Sequence, residues 1–193
     1  MLKPFVALLI LSALPAGAEA PSPLRLADLS ARLYAEGVNQ GDPVLVATAA
    51  RLRRQAGLAP GLSLGWEDML DVALTMFGDD PGLLDLMGDI SSDAERGVAS
   101  GPEYRLAALA AGATETLPPL SFRGGEYAEV YVEAATGTNL NLTVLDAGGH
   151  EVCADTDPSH VAYCAWTPAQ DGEFTVVVAN AGTTPADYAL MTN

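Results

Sequence analysis

Between Pro23 and Ala94 the apolar residues fall three and four positions apart, and from about Tyr104 onward they fall on every second position. The first spacing places apolar side chains along one face of a helix; the second places them on one face of a strand. In the helical region Leu26, Leu29 and Leu33 form one stripe, and Leu45, Ala49, Leu52 and Ala56 a second. A third runs from Trp66 through Met69, Leu70, Ala73 and Met76 to Phe77, and a fourth through Leu83, Leu86, Met87, Ile90 and Ala94. Ser22-Pro23, Asp42-Pro43 and Asp80-Pro81 mark helix starts: an acceptor side chain at the N-cap precedes a proline whose missing N–H is not needed there. The pattern predicts helices over 23–40, 43–57, 66–77 and 81–96. Gly41-Asp42-Pro43 and Gly78-Asp79-Asp80-Pro81 repeat one stop-and-start signal, so the four helices are expected as two αα-hairpins in a small bundle. Their apolar faces are read as core rather than as a peptide groove.

The second region alternates. Ala128, Val130, Val132 and Ala134 interleave with Glu129, Tyr131 and Glu133; Leu140, Leu142 and Val144 interleave with Asn139, Asn141 and Thr143. Phe174, Val176 and Val178 form another apolar row, and Tyr188 and Leu190 a last one. Glycine-rich turns separate these runs, at Gly124-Gly125, Gly137, Gly148-Gly149, Gly172 and Gly182. Short strands at this spacing without intervening helices argue for an antiparallel β-sandwich or jelly roll. The expected fold class is therefore α+β: a helical domain over 22–97, a linker over 98–113 with a candidate first strand at 104–109, and a sandwich over 114–193.

Several motifs within the sandwich region point to a family. They are Phe122-Arg-Gly-Gly-Glu126, Asn139-Leu-Asn-Leu-Thr-Val-Leu-Asp146-Ala-Gly-Gly149, Trp166-Thr-Pro168, Gly172-Glu-Phe-Thr-Val-Val-Val178 and Tyr188-Ala-Leu190. In their order and spacing, residues 114–193 resemble the bacterial pre-peptidase C-terminal domain, a β-sandwich often appended to secreted proteases. The resemblance implies a sandwich fold in an exported bacterial protein. The family has an aspartate–leucine alternation where this chain has Asn139 and Asn141, so a polar or metal-binding role is not carried to that strand. The region in front of the sandwich is helical and not a protease, so proteolysis is not carried over either. Cys164-Ala-Trp-Thr-Pro168 and the closing Met191-Thr-Asn193 are similar to small exported bacterial proteins of unknown role.

The N-terminus changes the picture of compartment. Lys3 precedes the apolar run Phe5–Leu14, which is too short to span a bilayer, and Ala16-Gly17-Ala18 supplies small residues for cleavage. This predicts a signal peptide over 1–18, cut between Ala18 and Glu19. A chain starting at Glu19 carries 25 acids and 8 arginines, a net charge of −17. That field repels phosphate backbones and anionic membrane surfaces, so nucleic acid is not an expected partner.

Candidate chemistry is sparse. Export lets Cys153 and Cys164 oxidise to a disulfide, expected as a staple between neighbouring strands; the spacing is not that of a redox Cys-x-x-Cys pair. Asp155 and Asp157, one residue apart in the enclosed loop, are candidate Ca²⁺ ligands, although Asp-Pro and Asp-x-Ser also form tight turns without a metal. Gly61-Leu-Ser63-Leu-Gly65 matches Gly-x-Ser-x-Gly, but the nucleophile elbow of a hydrolase needs a strand before it, and here a helix precedes. His150 and His160 lie too far apart in sequence to suggest a zinc site. Glu67, Asp68, Asp71, Asp85, Asp89 and Asp93 are read as a solvated face. The expectation is an exported, non-enzymatic binding or accessory protein without an integral membrane segment after signal removal. Its partner would be a protein, peptide or glycan. A Ca²⁺-dependent envelope protein and a small hydrolase using Ser63 are the alternatives.

Overall fold

The computed structural model describes residues 20–58, 64–77, 80–92 and 103–193. Four helices come first: α1 (Pro23–Gln40), α2 (Pro43–Ala56), α3 (Trp66–Phe77) and α4 (Pro81–Ser92). Nine strands follow: β1 (Glu103–Leu109), β2 (Thr114–Thr116), β3 (Leu120–Phe122), β4 (Ala128–Ala134), β5 (Leu140–Leu145), β6 (Glu151–Asp155), β7 (Val161–Trp166), β8 (Gly172–Asn180) and β9 (Ala186–Thr192). The expected α+β class, helices first and an antiparallel sandwich second, is what the chain forms. The signal peptide, its Ala18–Glu19 junction, Ser63 and Asp93 lie outside the described residues.

The helix starts follow the sequence signals. Ser22 Oγ accepts from the Arg25 amide at 3.0 Å, Asp42 Oδ1 from the Val44 amide at 2.9 Å, and Asp80 Oδ1 from the Leu83 amide at 3.0 Å. Each satisfies an amide that a helix leaves without an internal partner. Gly41 ends α1 at φ +67°, the left-handed conformation that a glycine C-cap adopts without a Cβ penalty. α1 then crosses α2 closely at Gly37, where a Cβ would stand 2.9 Å from Val46 Cγ2.

The buried face of α1 differs from the leucine stripe. Leu24, Ala27, Ala31 and Tyr34 are buried, whereas Leu29 is exposed and Leu26 and Leu33 are only partly covered. On α2 the fully buried positions are Val46, Ala47, Ala49, Ala50 and Ala56, and Leu45 and Leu52 are partly covered. The reason is close packing: α1 and α2 are pressed against each other and against a sheet, and small side chains allow that approach. α3 and α4 bury the expected Met69, Leu70, Ala73, Leu83, Met87 and Ile90 against α2.

The strands form two antiparallel sheets. Sheet A has the order β1-β9-β4-β7; sheet B has β2-β8-β5-β6, with β3 also paired to β8. Successive strands change sheet at most connections, and only β2–β3 and β5–β6 stay within one sheet, which is the winding of a jelly roll. Pro118-Pro119 separates β2 from β3, which run along the same partner strand: Thr116 pairs with Val177 and Leu120 with Phe174. β1 pairs with β9 over its whole length, from Glu103 opposite Thr192 to Leu109 opposite Ala186. The strand expected at 104–109 is thus a full member of sheet A and belongs with the sandwich.

The core between the sheets holds Val130, Val132, Leu140, Leu142, Val144, Val176, Val178, Tyr188 and Leu190. At one end Phe122, Trp166 and Phe174 meet edge to face or tilted, at centroid distances of 4.9 to 5.9 Å. Both lateral openings of the sandwich are closed. On one side Arg105 of β1 pairs with Glu115 of β2, whose other oxygen accepts from the Tyr188 hydroxyl at 2.8 Å. On the other side Cys153 and Cys164 are joined, with a Cα–Cα distance of 5.8 Å. Cys153 lies on β6 of sheet B and Cys164 on β7 of sheet A. The disulfide therefore bridges strands adjacent in sequence but belonging to opposite sheets, so it ties the two layers together.

Candidate functional site

The helices do not stand apart from the sandwich. Leu24, Ala27, Ala31 and Ala56 of α1 and α2 share one buried cluster with Tyr131, Val161, Ala189 and Met191, all on the outer face of sheet A. β4 is consequently buried on both sides: Val130, Val132 and Ala134 face the sandwich core, and Glu129, Tyr131 and Glu133 face the helices. Two of those outward residues are carboxylates, and each has a partner from the helical half.

Arg53 of α2 reaches Glu133 with both terminal nitrogens, Nη1 to Oε2 at 2.8 Å and Nη2 to Oε1 at 2.7 Å. Arg53 is 6% exposed and the Glu133 side chain 3%. Burial alone would lower the Arg53 pKa, but the Glu133 carboxylate outweighs it and holds the guanidinium charged. The Tyr131 hydroxyl is buried beside this pair. Burial first, and then the Glu133 charge, push its phenol well above the ordinary value. Glu129 accepts from Ser22 Oγ and from the Tyr163 hydroxyl. Ser22 is also the N-cap of α1, so one side chain both starts the helix and fixes it to the sheet, with the Glu129 carboxylate at the positive end of the helix dipole. Burial, then the hydrogen bonds to Glu129 and Tyr127, raise the Tyr163 pKa.

The disulfide-closed segment 153–164 supplies most of the remaining contacts. Asp155 Oδ2 accepts from Arg32 Nη2 at 2.6 Å and from the Tyr163 amide at 2.9 Å, while its Oδ1 accepts from the Asp157 amide at 3.2 Å. Arg32 is held from behind by the buried Asp28, with Nε to Oδ1 at 2.7 Å. Asp157 is largely exposed, 3.6 Å from Arg32 Nη1. The Arg25 guanidinium lies over the Tyr163 ring, 5.1 Å from its centroid. Asp155, His160, Val161 and Tyr163 together make a socket for α1, and the Cys153–Cys164 bond closes the segment that carries it.

A cavity of about 190 Å³ remains where the halves meet, walled by Ala31, Tyr34, Arg53, Met69, Glu133 and His160 among others. His160 is 7% exposed, and burial lowers its pKa from 6.5; Glu133 opposes that shift, and the charges of Arg53 and Arg32 add to it. Burial also raises the Tyr34 pKa, and the Asp68 charge adds to that.

The predicted site residues are placed as follows. Asp155 and Asp157 lie together, and the cation between α1 and Asp155 is the Arg32 guanidinium. Among the described residues no three of His, Cys, Asp and Glu are grouped so as to hold a metal ion. His150 is exposed in the β5–β6 turn beside Asp146, whose pKa is lowered first by accepting the His150 amide. His160 is buried in the interface, so the two histidines serve separate regions. Glu129, Glu133, Arg32 and Arg53 belong to no sequence motif. A signal was available: Glu-Tyr-Glu on alternate outward positions of β4, in a chain with Arg25, Arg32, Arg51, Arg53 and Arg54 clustered on two helices.

No protein-family model matches the chain, and no curated protein matches it. Among solved structures, the chain is similar to the pre-peptidase C-terminal domain of collagenase from Bacillus anthracis, at 11% identity over 48% of this chain and 89% of that one, with a TM-score of 0.39. It is also similar to PliG of Aeromonas hydrophila, a periplasmic inhibitor of g-type lysozyme (11%, 49% and 87%, TM-score 0.38). A third is a carbohydrate-binding module of Cellvibrio mixtus lichenase 5A in complex with cellotriose (12%, 49% and 87%, TM-score 0.33). These likenesses are weak and of fold alone. They extend the family resemblance of the sandwich no further than that level.

Proposed function

We propose that the protein is an exported, non-enzymatic binding protein that presents its jelly roll to a protein, peptide or glycan partner, with the helical half fixed as a cover over sheet A. The observation that carries this reading is the outer face of sheet B. The helices lie on the far side of sheet A, and no described helix covers Asn141, Thr143, Leu145, Thr175, Val177 and Ala179. These six side chains are uncharged, with Glu173 at one end of the same row of β8, in a chain of net charge −16. An uncharged face sheds its water at lower cost than a carboxylate-rich one, and it admits partners that the acidic remainder would not attract. Export is supported by the formed disulfide and by the signal features of residues 1–18; no described helix is long and apolar enough to cross a membrane. The non-enzymatic reading is supported by the way Ser22, Glu129, Arg53 and Glu133 are consumed in holding the halves together.

The test is capture by crosslinking in the native compartment with the wild-type chain and a Thr143→Lys, Thr175→Lys double variant. The expected result is a partner recovered with wild type and lost with the variant. Recovery of the same partner with both would remove sheet B from the reading. Turnover of an ester, peptide or glycan substrate that disappears on one side-chain substitution would overturn the non-enzymatic assignment.

A further inference from the structure

The cavity between the halves has two unused polar groups in its wall. Its volume is about 190 Å³, and both halves line it: Ala31 and Tyr34 of α1, Arg53 of α2, Met69 of α3, and Glu133 and Ala134 of β4. His160, just before β7, completes the buried part, and the exposed Leu64, Ala135 and Thr136 form the rim. Tyr34 and His160 are each only 7% exposed. Among the described residues, neither the Tyr34 hydroxyl nor a ring nitrogen of His160 makes a hydrogen bond. Unlike the Tyr131 hydroxyl, these atoms are not sealed from solvent. Polar atoms in so buried a wall, without a protein partner, are open to a partner that enters the cavity. The wall itself is fixed in advance. Glu133 is held by both terminal nitrogens of Arg53, and the His160 carbonyl accepts from the Ala134 amide at 3.0 Å.

We propose that this cavity is a binding site for a small uncharged phenol, its ring seated on Ala31, Met69 and Ala134 and its hydroxyl groups bonded to Tyr34 and His160. Size, charge and hydroxyl count select this class. An apolar cavity of about 150 Å³ admits benzene, so the volume here suits one such ring with one or two substituents. Arg53 and Glu133 neutralise each other, and a charged ligand would lose its water without meeting a free counter-charge. A tyrosine hydroxyl both donates and accepts, and a neutral imidazole has one nitrogen for each role. Two such groups satisfy one or two ligand hydroxyls. A sugar of similar ring size brings more hydroxyls than this wall can pair, and each one left over costs affinity. The carbon-rich floor suits an aromatic ring, with the Met69 thioether beside it. Because the wall is shared, an occupied cavity also favours the docked arrangement of helices and sandwich. The site is independent of the outer face of sheet B.

The experiment is isothermal titration calorimetry on the full mature chain at about pH 7.5, where a phenol is neutral and a carboxylate charged. The probes are resorcinol, benzoate and glucose. Resorcinol is expected to saturate one site with a Kd of about 0.1–1 mM, and benzoate and glucose to bind at least about tenfold more weakly. Tyr34→Phe keeps the ring and removes the hydroxyl, and is expected to weaken resorcinol about fivefold. Thr136→Trp, at the exposed rim where the fold is not at stake, is expected to close the mouth and abolish binding. No saturation by about 20 mM resorcinol would mean that the cavity holds water alone, and would overturn the proposal. So would benzoate or glucose binding as tightly as resorcinol, or resorcinol binding that Tyr34→Phe or Thr136→Trp leaves unchanged.

Discussion

Sheet A turns Glu129, Tyr131 and Glu133 outward and keeps them under helices, whereas sheet B turns Asn141, Thr143, Thr175 and Val177 outward with no described helix above them. The face with the carboxylates is the buried one. Alternation along a strand tells which side chains share a face; it does not tell what lies over that face. Burial of the charged face succeeds because each carboxylate meets a donor brought by α1 or α2. The neutral face needs no such partner, and no described helix covers it.

The largest expected effect comes from breaking the charged face at its best-buried point. Glu133→Ala leaves the Arg53 guanidinium buried without its counter-charge and is expected to destabilise by about 3–5 kcal/mol in urea unfolding. Replacing both partners, Arg53→Met with Glu133→Leu, is expected to recover most of that loss, because an apolar pair needs no compensation. Recovery of nothing would mean that the pair is not the unit holding the face. Removing the tie between the sheets, with Cys153→Ala and Cys164→Ala together, is expected to cost about 3 kcal/mol for a loop of this length. Ser22→Ala removes a helix cap and the donor to Glu129 in one step, and a loss of about 1–2 kcal/mol is expected. On the opposite side Thr175→Lys is expected to stay within about 0.5 kcal/mol of wild type, since no described helix lies over it. A loss there as large as that of Ser22→Ala would show that sheet B is covered. Smallest of all is the response to Ca²⁺. With Arg32 seated on Asp155, Tm is expected to be the same in Ca²⁺ and in EDTA, and a rise in Ca²⁺ would return Asp155 and Asp157 to a ligand role.

Much of the fold was legible in the residues. Asp42-Pro43 and Asp80-Pro81 start helices because the cap is local, and the alternation around Val130, Leu142 and Val176 marks strands because the pleat is local. The cysteines are near in sequence and meet in space, although only the topology shows that their strands lie in opposite sheets. What escaped was long-range. Arg32 and Asp155 are 123 positions apart, and Arg53 and Glu133 are 80 apart. No periodicity encodes such pairs. The buried side of α1 escaped for another reason. Counting leucines favoured Leu26, Leu29 and Leu33, but a helix lying against a sheet and another helix is selected for closeness, and Ala27 and Ala31 provide it.

The pairing of β1 with β9 bears on the order in which the molecule can be assembled. Sheet A contains the first strand of the sandwich and the last, and β9 also separates β1 from β4. During synthesis α1 and α2 leave the ribosome early, and their mutual contacts are short-range and quick to form. The surface they must sit on is complete only when Ala186–Thr192 has arrived. Until then Leu24, Ala27 and Ala31 have no sheet to cover them, and the nascent chain carries a sticky helical pair for most of its length. A chain truncated before Ala186 is therefore expected to be captured by holdase chaperones through its first helices, far from the cut.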